Sequence, residues 1–248
     1  MGTPLRRRLP LALRQELLQL RRQWRDRREG LVFSHGHHPL ELAAPPRAEI
    51  RQPLMPGEWL LNKRANLELA LERLNGSRLG PATTWSFWRA LGRPSARRGY
   101  RRGRNLVNGQ LVTQVGGGLC QLSGLLYHLG LLAGLEVVER HAHSVDVYGD
   151  GERFTPLGAD ATVAWGSRDL RLGNPHGQEL VLECLLTEGE LIGRLRAADP
   201  LPLRELRFER EPATAAGHLR VRTWSDGQLL VTNHYRPLQS PSAPGSAP

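Results

Sequence analysis

Apolar positions along the chain recur at two spacings, and the spacing sorts its segments. Near the N-terminus Leu13, Leu17, Leu20 and Trp24 return every three or four residues, with Arg14, Arg21, Arg22, Arg25 and Arg28 between or beyond them. That period predicts an amphipathic helix within residues 1–30, packed by its leucine stripe on the rest of the chain. Gly30 to Pro56 is rich in Pro, His and Gly and predicts a surface loop, in which His35, His37 and His38 lack the carboxylate or Cys company of a metal tract. Leu67, Ala70, Leu71 and Leu74 predict a helix over Asn66–Leu74, closed by Asn75-Gly76. Trp85, Phe87 and Trp88 form an aromatic cluster of strand type that belongs to the core.

Further on, Leu122, Leu125, Leu126, Leu129, Leu132 and Ala133 predict a strongly apolar helix ending at Gly134. Val137 to Tyr148 then alternates, which predicts a strand with His141, His143, Val145 and Val147 on one face. Leu180 to Leu182 and Leu229 to Val231 lie between Gly-containing turns and predict antiparallel strands, and Pro237 to Pro248 predicts a disordered tail. One long apolar helix followed by alternating segments predicts an α+β domain over residues 31–236. In it the helix is buried against an antiparallel sheet that contains the histidine strand.

Composition narrows the class. The chain has 248 residues, 40% hydrophobic and 23% charged, the proportions of a globular protein. Its apolar runs are far shorter than the ~20 residues of a membrane-spanning helix. Arg14 and Glu16 interrupt the N-terminal apolar run too early for a secretory signal, so the expected location is cytoplasmic. Two cysteines make no disulfide framework. The net charge is +10, of which +6 falls within residues 1–30. A second basic run, Arg93 to Arg104, is broken by Gly92, Pro94, Gly99 and Gly103 and reads as a loop. No nucleic-acid-binding signature accompanies the charge, so no nucleic-acid partner is expected. The alternative role for the basic N-terminal helix is peripheral contact with an anionic membrane.

The chemistry concentrates between Asn108 and Asp169. Gly116-Gly117-Gly118 makes a reversal into the apolar helix, and Cys120 falls in its first turn. There the helix dipole favours a thiolate, which is the nucleophilic form. A histidine can activate such a thiol, and a carboxylate can hold the imidazole in the right tautomer. His143 ranks above His141 as the base, because Ser144 and Val145 continue its strand into the sheet. Asp160 is the first candidate for the third member and Asp169 the reserve. Gln114, Gly116, Gly117, Gly118, Gln121, Ser123, Arg140 and His141 complete the expected binding set, with Arg140 suited to a substrate carboxylate and Gln114 six residues before Cys120, an offset that resembles the oxyanion-hole Gln of papain-like enzymes. Two other readings of Cys120 stand beside this one: a small buried hydrophobe, or a Zn²⁺ ligand with His141, His143 and Asp160. A further close-spaced ligand is missing, and no metal or cofactor is expected. His128 lies two turns along the helix from Cys120, too far to be its base. Cys184, within Leu182-Glu183-Cys184-Leu185-Leu186, belongs to the core.

The runs Trp85-Ser86-Phe87-Trp88-Arg89, Ala96-Arg97-Arg98-Gly99-Tyr100, Asn108-Gly109, Gly116 to Ser123, Val138 to His143 and Gly158 to Val163, with Asp169-Leu170 and Asn174, resemble the VanW family in its short form. That family is named for an accessory protein of glycopeptide (vancomycin) resistance, and the resemblance is densest from Thr84 to Asn174. It implies a cell-wall precursor or peptide as substrate class. The order Cys, His, Asp adds a likeness to papain-like and transglutaminase-like enzymes and points to a cysteine-dependent amide hydrolase or acyltransferase. The alternative is a non-catalytic module that binds a wall fragment or a partner protein.

Overall fold

The computed structural model of the chain describes residues 10–40, 44–107, 110–146 and 153–237. It is an α+β fold whose sheets are mostly antiparallel. Strand β1 (Pro46–Pro53) forms the edge of the first sheet and pairs with β10 (Glu190–Arg196), which pairs with β9 (Leu180–Leu186) and through it with β2 (Arg78–Leu79). The prolines that disguise β1 as a loop in the sequence stand at its two ends. An edge strand tolerates them because half of its backbone groups have no ladder partner.

Two helices rest on this sheet. Helix α2 (Leu60–Leu74) starts six residues before the apolar period becomes visible and lies over β9. Helix α4 (Leu119–Leu132) crosses β1 and β10, and a Cβ on Gly193 of β10 would meet Leu125 and Leu129 at 3.2–3.4 Å. Leu119, Leu122, Leu125, Leu126, Leu129 and Leu131 are all buried. Burying each leucine contributes roughly 1.5–3 kcal/mol relative to exposure, so this helix anchors the core and fixes where Cys120 stands. Trp85 ends up in β3 (Thr84–Ser86), but Phe87 and Trp88 begin a short helix, α3 (Phe87–Leu91), capped by the Ser86 hydroxyl.

The expected histidine strand does not form. Residues 136–139 are β6 (Glu136–Glu139), which joins β8 (Arg171–Gly173) and β3 in a second sheet. Val145 and Asp146 are β7, which pairs in parallel with β13 (Gln228–Pro237) at the edge of a third sheet. That sheet also holds β11 (Leu206–Arg210) and β12 (Leu219–Ser225). Residues 140–144 bridge the two sheets without strand pairing, and the side chains of Arg140, His141 and His143 bond carboxylates there. The Arg-rich run is likewise only half loop. A 3-10 turn at Ala96–Arg98 leads into β4 (Arg102–Val107), which forms a hairpin with β5 (Gln110–Val115). Val147, Tyr148, Asn108-Gly109 and the tail beyond Pro237 lie outside the described residues.

Helix α1 (Leu11–Arg28) forms as expected but turns the other way round. Leu13, Leu17, Leu20 and Trp24 are 42–60% exposed, whereas Arg22 and Asp26 are buried. The cause is a charged socket in the domain. Arg171 donates twice to Asp26, at 2.7 and 3.0 Å, and Arg89 adds a third bond at 3.2 Å. Arg22 pairs with Glu139 and stands 3.8 Å from Asp169. Three guanidinium groups and three carboxylates balance, and each would be left uncompensated if the leucine face docked instead. Among the described residues, no helix is long and apolar enough to cross a membrane.

Candidate active site

Gly117 packs so closely on the β4 backbone that a Cβ would stand 2.5 Å from Gly103 Cα, and Gly118, the N-cap of α4, has φ 99°. Only glycine allows both the contact and the left-handed turn. No side chain caps this helix end; Gly116 O and Gly118 O take the Leu119 and Gln121 amides at 3.4 and 3.0 Å, and Cys120 stands between them as the second helical residue. Two bonds tie this start to the chain that supplies the other site residues. Ser123 Oγ donates to Ala161 O at 2.7 Å, and the Thr162 amide donates to His141 O at 2.7 Å. The helix, the 140–144 link and residues 159–163 are thereby held as one unit.

Within that unit Cys120, His143 and Asp160 meet. Asp160 Oδ2 accepts from the His143 amide at 2.6 Å and from His143 Nδ1 at 2.8 Å. The Cys120 sulfur stands 3.9 Å from Val163 O and close enough to the His143 imidazole for each to shift the other's titration. Burial opposes the charge on His143, but the bonds to Asp160 and Cys120 prevail and raise it to about 10. Burial likewise works against a thiolate at Cys120, yet the hydrogen bond and charge of His143 hold the thiol below its ordinary value. Asp160 follows the same balance: desolvation is outweighed by His143 and Arg140, and its carboxyl sits far below the usual range. Together these shifts hold the Cys120 thiol low, the His143 imidazole high and the Asp160 carboxyl low, the electrostatics that favour a thiolate–imidazolium pair backed by a carboxylate.

The remaining expected residues divide. Gly117, Gly118 and Gln121 line a cavity of about 510 Å³ together with the triad. Gln121 Nε2 also donates to Pro53 O at 3.1 Å, linking the site to β1. Gly116, with φ 89°, is buried behind the turn. Gln114 is exposed on β5 opposite Gly103 and does not reach the cavity. Its chain offset from Cys120 is spent on the hairpin strand and the glycine turn.

Arg140 is not open to a substrate. Its Nε donates to Asp160 O at 2.7 Å, one Nη to Asn233, and the other to Asp160 Oδ1 at 3.2 Å, while the guanidinium lies 4.7 Å from the Tyr127 ring centroid. It holds the carboxylate that holds the histidine. His141 turns away to Glu139 at 2.9 Å, so it neither bases Cys120 nor completes a zinc set. Among the described residues, no cluster of three His, Cys, Asp or Glu could hold a metal ion. Asp169 accepts from Ser86 at 2.6 Å, from the Trp88 amide at 3.1 Å and from Arg171 at 3.1 Å. It belongs to the socket beneath α1. Cys184 is buried in β9, where desolvation pushes its thiol up to about 12.

Two site residues escaped the sequence. Tyr235 of β13 donates its hydroxyl to Asp160 Oδ1 at 2.5 Å, which gives that carboxylate four donors. Lys63 of α2 lines the cavity beside Gly118. Tyr235 carries no sequence signal, because its partner is 75 residues away. Lys63 carries one, being the single lysine among 34 basic residues.

Comparison with known proteins agrees with the resemblance noted in the motifs. A family model described as "VanW like protein" matches residues 62–196, just over half of the chain. The "Vancomycin B-type resistance protein VanW" of Enterococcus faecalis (strain ATCC 700802 / V583) is 34% identical over 136 residues, 55% of this chain and 50% of that protein. The "Uncharacterized protein YoaR" of Bacillus subtilis (strain 168) is 30% identical over 148 residues, 60% of this chain and 47% of that protein. The matches thus span about half the length of each relative. No solved structure matches the chain. Cys120, His143, Asp160 and the glycine turn all fall inside the matched region, and the chain belongs to the VanW family.

Proposed function

We propose that the protein is a cysteine-dependent amide hydrolase or acyltransferase acting on a cell-wall peptide. The observation that supports this most is the Cys120–His143–Asp160 relay at the wall of an open cavity, with Asp160 fixed by four donors. A purely structural cysteine needs neither an imidazole nor a carboxylate behind it. The likeness to papain-like and transglutaminase-like enzymes rests on chain order and on a nucleophile at a helix start.

In the reaction, the Cys120 thiolate attacks the amide carbonyl carbon and a C–S bond forms. The Cys120 amide, in the first turn of α4, receives the developing oxyanion. His143 gives its proton to the leaving nitrogen as the C–N bond breaks, and an amine is released from a thioester. Water, or an acceptor amine, then loses a proton to His143 and attacks the thioester, and Cys120 returns as thiolate. The vancomycin-resistance name of the E. faecalis relative directs the substrate search to wall peptides. The test is incubation with peptidoglycan peptides and mass spectrometry of the products. The wild-type protein should cleave or exchange one amide, and Cys120→Ala and His143→Ala should each abolish this, with the double variant no worse. A folded Cys120→Ala protein that keeps full function would leave a non-catalytic binding module instead.

A separate observation supports contact with an anionic membrane. The outward face of α1 carries Leu13, Leu17, Leu20 and Trp24, flanked by the exposed Arg14, Arg21, Arg25 and Arg28. An apolar stripe with a basic border complements an anionic bilayer surface. Sedimentation with phosphatidylglycerol vesicles should carry the protein down, and phosphatidylcholine vesicles or the Leu20→Ser/Trp24→Ser variant should not. Equal sedimentation of variant and wild type would remove this role.

A further inference from the structure

Arginine stands at every basic position of the chain except Lys63. Lys63 lies in the first turn of α2, and its stem runs so close to Gly118 that a Cβ there would stand 2.8 Å from Lys63 Cγ. Its ammonium is 5.6 Å from the Phe154 ring centroid, and it lines the same cavity as Cys120 and His143. Among the described residues no carboxylate forms an ion pair with it, and burial alone pushes it down to about 8. Arg104 of β4 faces the same cavity from an exposed position. The cavity's carboxylates are otherwise placed: Asp160 is held by His143 and Arg140, Asp146 is paired with Arg153, and Glu58 is at the exposed rim.

A half-buried ammonium without a counterion is costly unless a ligand completes it. A compact ammonium on an unbranched stem suits the gap between Gly118 and Phe154, where the wider guanidinium fork would need more room. We propose that Lys63, with Arg104 at the mouth, forms a carboxylate-binding subsite adjoining Cys120, so that the substrate presents a free carboxylate near the bond under attack. This rests on Cys120 being the nucleophile, and it adds a substrate class: peptides or acceptors ending in a free carboxylate.

Two alkylating agents test it without knowledge of the substrate. Iodoacetate and iodoacetamide react in the same way, the Cys120 sulfur displacing iodide from a CH₂ group, but only iodoacetate carries a carboxylate. Rates at Cys120, followed by peptide mass spectrometry, give the iodoacetate-to-iodoacetamide ratio. In Lys63→Met, which keeps the unbranched stem, that ratio should fall about tenfold, the size of one charge-assisted hydrogen bond. The iodoacetamide rate should stay within about twofold. Arg207→Met, which removes a charge on the exposed face of β11, should leave the ratio unchanged. On the wild-type protein, N-acetylalanine should slow iodoacetamide and its amide should not, which decides the matter even if the variant fails to fold. An unchanged ratio in folded Lys63→Met, or equal protection by acid and amide, overturns the subsite while leaving the nucleophile standing. A Cys120 inert to both reagents overturns the nucleophile and the subsite together.

Discussion

Asp160→Asn is the most informative single substitution, because it changes charge and donor pattern at almost constant volume. Oδ1 accepts from Tyr235 and Arg140, and Oδ2 accepts from the His143 amide and ring. An asparagine can offer its carbonyl to only one of these pairs, so its NH₂ must face N–H or O–H donors on the other side. The variant also leaves the buried Arg140 guanidinium without its counterion. Breaking a buried pair by removing one partner costs about 3–5 kcal/mol, a large share of the ~5–15 kcal/mol that keeps a domain folded.

The pH dependence has a definite sign. His143 sits at about 10 against an ordinary 6.5, so the stability it contributes is fully present below pH 6.5 and is lost as pH rises through about 10. Asp160 is held below its ordinary 3.8, so its contribution is present above about pH 4 and is lost as pH falls through its folded-state value. The gap between wild type and variant in urea unfolding should be widest between about pH 4 and 6.5 and should narrow toward pH 10. A gap under about 1 kcal/mol at pH 5.5, or one that does not change with pH, would refute the reasoning.

Other expectations follow from the same contacts. Gly117→Ala places a methyl group against the Gly103 backbone, which no rotamer change relieves, and should cost roughly 1–3 kcal/mol in urea unfolding while slowing Cys120 alkylation. Arg171→Met strands Asp26 and Asp169 beneath α1 and should destabilise by about 3–5 kcal/mol, with α1 released to limited proteolysis. In native protein Cys184 should resist alkylation up to the pH of unfolding, because it is buried and its thiol is pushed up to about 12.

The residues of the candidate site were more legible than the architecture that brings them together. Cys120 could be nominated because a glycine turn before an apolar helix is local in sequence, and Asp160 because it follows Gly158-Ala159. The single strand expected to deliver His143 is absent: residues 140–144 interrupt it between β6 and β7, where His141 and His143 bond Glu139 and Asp160. Long-range ion pairs were invisible for the opposite reason. Asp26 and Arg171 are 145 residues apart, and nothing local to either shows that α1 docks by charge and not by its leucines. Nothing local to Arg140 shows its internal partners either, Asn233 lying 93 residues away on β13.

The central claim is that Cys120 is a thiolate held by His143, and its most direct test is the pH–rate profile of Cys120 alkylation by iodoacetamide in wild type and His143→Ala. In wild type the rate should reach its plateau below the ordinary thiol value of 9.0, and His143→Ala should shift the inflection upward and slow the reaction at neutral pH. Identical profiles for the two proteins, with an inflection at or above that of a free thiol, would contradict it.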